Sequence, residues 1–112
     1  MKKWIDLSTI GGTGPEKGII LKDQELDGIC RITLETYKDH RAITCGLYGN
    51  MLLTVYRSTA RAEATYEELK SELGRFIALN YDNNEEVSAV FYDYLFHKYY
   101  LEGDVPFWDN AL

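Results

Sequence analysis

The glycine-rich stretch Gly11-Gly12-Thr13-Gly14-Pro15-Glu16-Lys17-Gly18 is the first place where chemistry could reside, because glycine turns ending near a lysine are used to cradle phosphate. A phosphate loop needs G-x-x-x-x-G-K, then Ser or Thr, then a helix, so that backbone amides and the helix terminus converge on the anion. Here Glu16 stands where a glycine would precede Lys17, and Gly18 follows instead of a hydroxyl. The dinucleotide pattern G-x-G-x-x-G also fails, because counting from Gly12 and Gly14 places Lys17 at the third glycine. Both patterns require a helix next, whereas Ile19, Ile20 and Leu21 read as a strand. The loop is expected to bend the chain into a sheet and to bind no phosphate.

Cys45 is the candidate nucleophile, and a thiolate needs an imidazole within hydrogen-bond reach. His40 lies an odd number of positions away on what reads as one strand, so the two side chains leave opposite faces. His97, with Asp93 four residues earlier to orient its ring, would complete a Cys-His-Asp set by role, which makes a small thiol enzyme using Cys45 one alternative. Flanked by Ile43 and Leu47, Cys45 also reads as a small buried hydrophobe. The two cysteines and two histidines form no close ligand pair, and Asp82-Asn83-Asn84-Glu85-Glu86 lacks the glycine and spacing of a calcium loop. No metal and no cofactor are expected. Tyr92, Tyr94, Tyr99 and Tyr100 form the densest aromatic group, a composition that suits either packing or a protein contact.

These residues must be positioned by elements that the hydropathy pattern outlines. Residues 18–25 carry an apolar cluster that ends in charge, and Asp27-Gly28 supplies a turn. Residues 29–37 alternate, with Cys30, Ile32 and Leu34 on one face and Arg31, Thr33 and Glu35 on a wet one. Two more strands follow over 41–48 and 51–57, joined by Gly49-Asn50 as a tight hairpin turn. A two-residue loop there pairs Gly46 with Leu53 and Thr44 with Val55, and leaves Tyr48, Met51, Leu53 and Val55 on an outer apolar face that needs a cover.

After Ser58-Thr59, either of which can cap a helix, the period changes to three and four. Ala62, Tyr66, Leu69, Leu73, Phe76 and Ile77 form the apolar stripe of a helix over about 60–79. A second helix over about 85–101 carries Val87, Val90, Phe91, Tyr94 and Leu95, widened by Tyr92, Phe96, Tyr99 and Tyr100, and is expected to be the more buried of the two. Gly103 and Pro106 end it, and Phe107 and Trp108 in the tail are expected to dock on the domain.

A chain of 112 residues with 46% hydrophobic and 27% charged residues has the size and composition of one globular domain, expected to span 1–112. Eighteen acids against twelve Lys plus Arg give a formal charge of −6, which repels phosphate backbones and anionic lipid and favours basic partners. Neither a nucleic acid nor a membrane is expected as partner. The start MKKWIDLSTI has no signal-peptide core, and no run approaches the roughly 20 apolar residues of a membrane helix. A cytoplasmic location with reduced cysteines is expected.

The run from Gly28 to Thr59, and within it Ala42, Ile43, Thr44, Cys45, Gly46, Tyr48 and Gly49, resembles a group of small uncharacterised bacterial proteins with an A-I-T-C-G-x-Y-G segment. That likeness covers about the middle half of the chain and carries no function over. In size, acidity and sheet-then-helix order the chain is also similar to immunity proteins of bacterial toxin systems, an architectural likeness. The expected fold is two-layer α+β, an antiparallel meander of about four strands followed by two helices on one face. The expected role is a non-enzymatic protein-binding module, possible in an immunity-type form, using Tyr48, Met51, Leu53, Val55, Tyr92 and Tyr99. A homodimer that buries the outer hairpin face is the other alternative to the thiol enzyme.

Overall fold

The structure is a computed structural model that describes residues 3–47, 50–79 and 85–100. Five antiparallel strands form one sheet in the order of the chain: β1 (Trp4–Asp6), β2 (Ile19–Leu26), β3 (Cys30–Thr36), β4 (His40–Leu47) and β5 (Asn50–Ser58). Helices α1 (Thr59–Leu79) and α2 (Glu85–Leu95) follow, and α2 runs into a π-helical turn over Phe96–Tyr100. The fold is therefore α+β, a meander followed by helices. The sequence pattern predicts about four strands. The additional one, β1, is three residues long and owes its strand form to pairing with Gln24, Glu25 and Leu26.

Short connections make the meander. Between β2 and β3, Asp27 and Gly28 both take left-handed φ angles of 53° and 69°. The Ile29 amide donates to the Leu26 carbonyl at 2.9 Å, so Asp-Gly makes the tight turn whose twist suits a hairpin.

One face of the sheet is apolar by alternation. Cys30, Ile32 and Leu34 of β3 pair across to Leu47, Cys45 and Ile43 of β4, and Cys45 and Ile43 pair on to Leu53 and Val55 of β5. The α1 stripe Ala62, Tyr66, Leu69, Leu73, Phe76 and Ile77 lies against this face, and each of these residues is buried, as their spacing predicts. Phe91 of α2 stacks on Phe76 with ring centroids 4.2 Å apart, and Leu95 and Tyr99 close the core.

The β4–β5 register differs from expectation by one residue. Leu47 pairs with Asn50, and the register shifts between Cys45 and Gly46, which leaves one extra residue in β5 and sets Cys45 opposite Leu53 and Ile43 opposite Val55. A one-residue slip moves every side chain to the other face. Leu53 and Val55 accordingly sit in the core at 6% and 0% exposure and not on an outer face. Tyr48, the Met51 side chain and the tail from residue 101 onward lie outside the described residues.

The relative burial of the helices is also the reverse of expectation. Helix α1 buries eight residues, whereas Val90 and Tyr94 of α2 are exposed. The reason is placement: α1 lies across the sheet and α2 packs on α1's flank. There Glu72 of α1 accepts hydrogen bonds from Tyr94 and Lys98 and ties the two helices together. No helix among the described residues is long and apolar enough to cross a membrane.

Candidate functional site

The second face of the sheet is polar and, among the described residues, has no helix against it. Its rows follow from the register: Glu25 opposite Arg31 and Gly46, then Asp23 opposite Thr33, Thr44 and Thr54, then Glu35 opposite Ala42 and Tyr56. Alternation predicts this as a wet face. In fact Asp23, Thr33, Glu35 and Thr44 are buried, and the glycine-rich loop between β1 and β2 folds over Asp23 and Glu35.

The loop is laid down by backbone hydrogen bonds. The Leu7 amide donates to Asp23, the Gly11 amide to Ile20, the Ile20 amide to Gly12 and the Gly14 amide to Gly18, all at 2.8–2.9 Å. Lys17 adopts a left-handed φ of 69°, and the turn it makes brings the amides on either side of it onto one carboxylate. Glu16 N lies 3.1 Å from both Glu35 oxygens, and Gly18 N lies 2.9 Å from Glu35 Oε1. The Tyr37 hydroxyl donates to the Glu16 carbonyl and the Tyr56 hydroxyl donates to Glu16 Oε1 at 2.6 Å.

The glycines therefore serve close approach. A Cβ on Gly14 would stand 2.3 Å from Glu35 Cδ, and one on Gly18 would stand 2.9 Å from the Thr36 carbonyl oxygen. The loop does gather an anion on its amides, and that anion is the chain's own Glu35.

Asp23 anchors the other end of the loop. It accepts from Thr9 Oγ1 at 2.6 Å, from Arg31 Nε at 2.8 Å and Arg31 Nη2, and from Thr33 Oγ1 at 3.0 Å. Burial pushes its carboxyl up, but the bonds from Arg31, Thr9 and Thr33 outweigh burial and hold it below the ordinary aspartate value. For Glu35 the balance falls the other way. Burial raises its carboxyl, the Gly18 and Glu16 amides offset only part of that, and the charges of Glu16 and Asp23 push in the same direction as burial.

Between loop and sheet lies a cleft of about 940 Å³. Thr33, Thr44 and Gly46 line it from the sheet, Thr9, Ile10 and Gly12 from the loop, and Glu25, Ile29 and Arg31 from the β2–β3 hairpin. This volume is within the range of ordinary ligand sites. Among the described residues, no three His, Cys, Asp or Glu side chains converge as metal ligands do.

Among the described residues, the contact candidates named from sequence lie in or against the core. Leu53, Val55 and Tyr99 are brought together, but inside the core, and the Tyr99 hydroxyl donates to Glu68 at 3.1 Å. Tyr92 is half-buried against that core with its ring 6.0 Å from Phe96. Cys45 is 1% exposed, and burial pushes its thiol up to about 12. His97 is exposed, and its Nδ1 bonds the Asp93 backbone carbonyl at 2.8 Å and not the carboxylate. His40 stacks on Tyr37 at 4.6 Å and bonds Asp39.

Sequence reading missed Asp23, Arg31, Thr33 and Glu35 as a cluster. The available signal was an alternating polar row in β3 behind a glycine-rich loop able to approach it closely. Compared with known proteins, the chain matches no family model, and no curated protein or solved structure is significantly similar to it.

Proposed function

We propose that this chain is a non-enzymatic binding module that works by protein contact, and that its contact face is the side of the sheet roofed by the glycine loop. The observation that carries the reading is the cleft on that face, bordered by Ile10 at 62% exposure and by the Glu25 row that continues to Ile5 at 52%. A polar cleft with aliphatic residues left in water at its rim suits a surface that another protein covers. In its immunity-type form, the module occupies the working site of a basic toxin. The formal charge of −6 favours such an encounter by long-range attraction.

Glu25 adds a carboxylate to the lining of that cleft. Acids of α1 are engaged within the molecule: Glu63 and Glu67 by Lys22, and Glu68 and Glu72 by Lys98. The test is capture from lysate of the source cells by tagged wild-type chain, Ile10→Lys and Glu67→Ala. The reading expects a protein that co-elutes with the wild type and with Glu67→Ala and is lost with Ile10→Lys. Equal capture by Ile10→Lys moves the contact to another face. Capture of nothing by the wild type rejects protein contact.

A further inference from the structure

We infer that the cleft receives a basic side chain, lysine or arginine, from the protein partner, with Glu25 as the carboxylate that meets its charged head. The inference rests on the protein-contact reading above and adds the chemistry of what enters.

Several groups that could hold an anion in this region are already turned onto the chain's own carboxylates. The Glu16 and Gly18 amides converge on Glu35, and the Nε and Nη2 edge of Arg31 is turned onto Asp23. Arg31, about half exposed at its side chain, is thus offset at close range by a carboxylate that is itself fully buried. Glu25 faces Arg31 across the hairpin and lines the cleft, and it sets the sign of the remaining charge there. The charged side chains that line the cleft are Glu25 and Arg31, and because the guanidinium is paired with the buried Asp23 the balance there is negative.

The walls suit the rest of a basic side chain. Ile10, Pro15 and Ile29 line the cleft as apolar surface, and lysine and arginine lay their methylene stems on such surface while the head reaches polar groups. Thr9 and Thr33 are committed to Asp23, which leaves that carboxylate saturated and Glu25 as the receiving one. An acidic or phosphorylated occupant would meet the like charge of Glu25, and the loop side chains that line the cleft, Ser8, Thr9 and Thr13, bring hydroxyls but no cation to offset it.

A titration of the ¹⁵N-labelled full chain followed by amide shifts tests this, with acetyl-Gly-Arg-Gly-amide and its Glu counterpart as probes. The arginine peptide is expected to move the amides of Thr9, Thr33, Thr44 and Gly46, with affinity that falls as salt rises. Glu25→Gln, a substitution at a partly exposed hairpin position, is expected to weaken it about threefold or more. The inference is overturned if the glutamate peptide moves the same amides equally, if Glu25→Gln binds as the wild type does, or if the arginine peptide moves nothing. Should Ile10→Lys abolish partner capture while the arginine titration stays silent, protein contact stands and the basic occupant falls.

Discussion

On the helix side of the sheet, Ile32, Leu34, Ile43 and Val55 are wholly buried among aliphatic and aromatic neighbours. On the opposite side, Asp23 and Glu35 are buried to the same degree among hydroxyls, a guanidinium and backbone amides. The first face is held by burial that is non-directional and scales with area, so shape and volume are what it demands. The second is held by hydrogen bonds whose donors must arrive at set positions, because an unmet buried carboxylate is costly. A helix can cover the apolar face from several approaches. Only a loop without side chains at Gly14 and Gly18 can come close enough to satisfy Glu35.

The contrast can be broken first by truncation in the core. Leu69→Ala empties a fully buried site facing the sheet and is expected to cost about 2–5 kcal/mol, read as a lower denaturant midpoint at unchanged slope. A similar loss from Thr33→Ala would erase the energetic distinction between the faces.

Asp23→Ala is expected to cost about 2–3 kcal/mol by the same measurement, because Thr9 and Thr33 lose a shared acceptor while the half-exposed Arg31 rehydrates. Gly14→Ala should cost about 1–2 kcal/mol, since its Cβ collides with the Glu35 carboxyl. Its sharper signature is local: amide exchange at Glu16 and Gly18 accelerates while that of α1 is unchanged. Unaltered exchange would mean that Glu35 does not hold the loop.

The smallest effect is in the pH dependence. Folding raises the Glu35 carboxyl above its ordinary 4.5, so the native state holds the proton more tightly than the unfolded chain. The resulting penalty is full above the raised value and vanishes below 4.5. Asp23 works oppositely, contributing stability above its ordinary 3.8 that is lost as pH falls through its lowered value. Glu35→Gln should therefore remove a gain in stability that the wild type shows as pH falls towards 4.5, measured by thermal unfolding across that range. Parallel profiles for the two proteins would reject the assignment.

Much of the helix side is legible in the sequence. The three-and-four spacing of Ala62, Tyr66, Leu69, Leu73, Phe76 and Ile77 and the alternation of Cys30, Ile32 and Leu34 mark buried residues directly. The hairpin from β4 to β5 is not legible at the level of register. Met51, Leu52 and Leu53 are consecutive and apolar, so no alternation pins which of them faces inward, and the shift at Cys45 and Gly46 decides it. The site was less visible still. Asp23 and Glu35 have the residue types of a solvated face, and nothing local to either of them announces a roof contributed from residues 9–18.

The sequence alone determined the kind and order of the main elements, from the hairpin turn at Asp27-Gly28 to the stripe of α1, because those signals repeat within a few residues. Only the tertiary structure decided that Leu53 and Val55 belong to the core, that Cys45 lies within it, and that the glycine loop closes on Glu35. Each of these outcomes depends on groups far apart in the chain meeting at hydrogen-bond or van der Waals distance. Strand register and loop closure set such meetings, and local pattern does not.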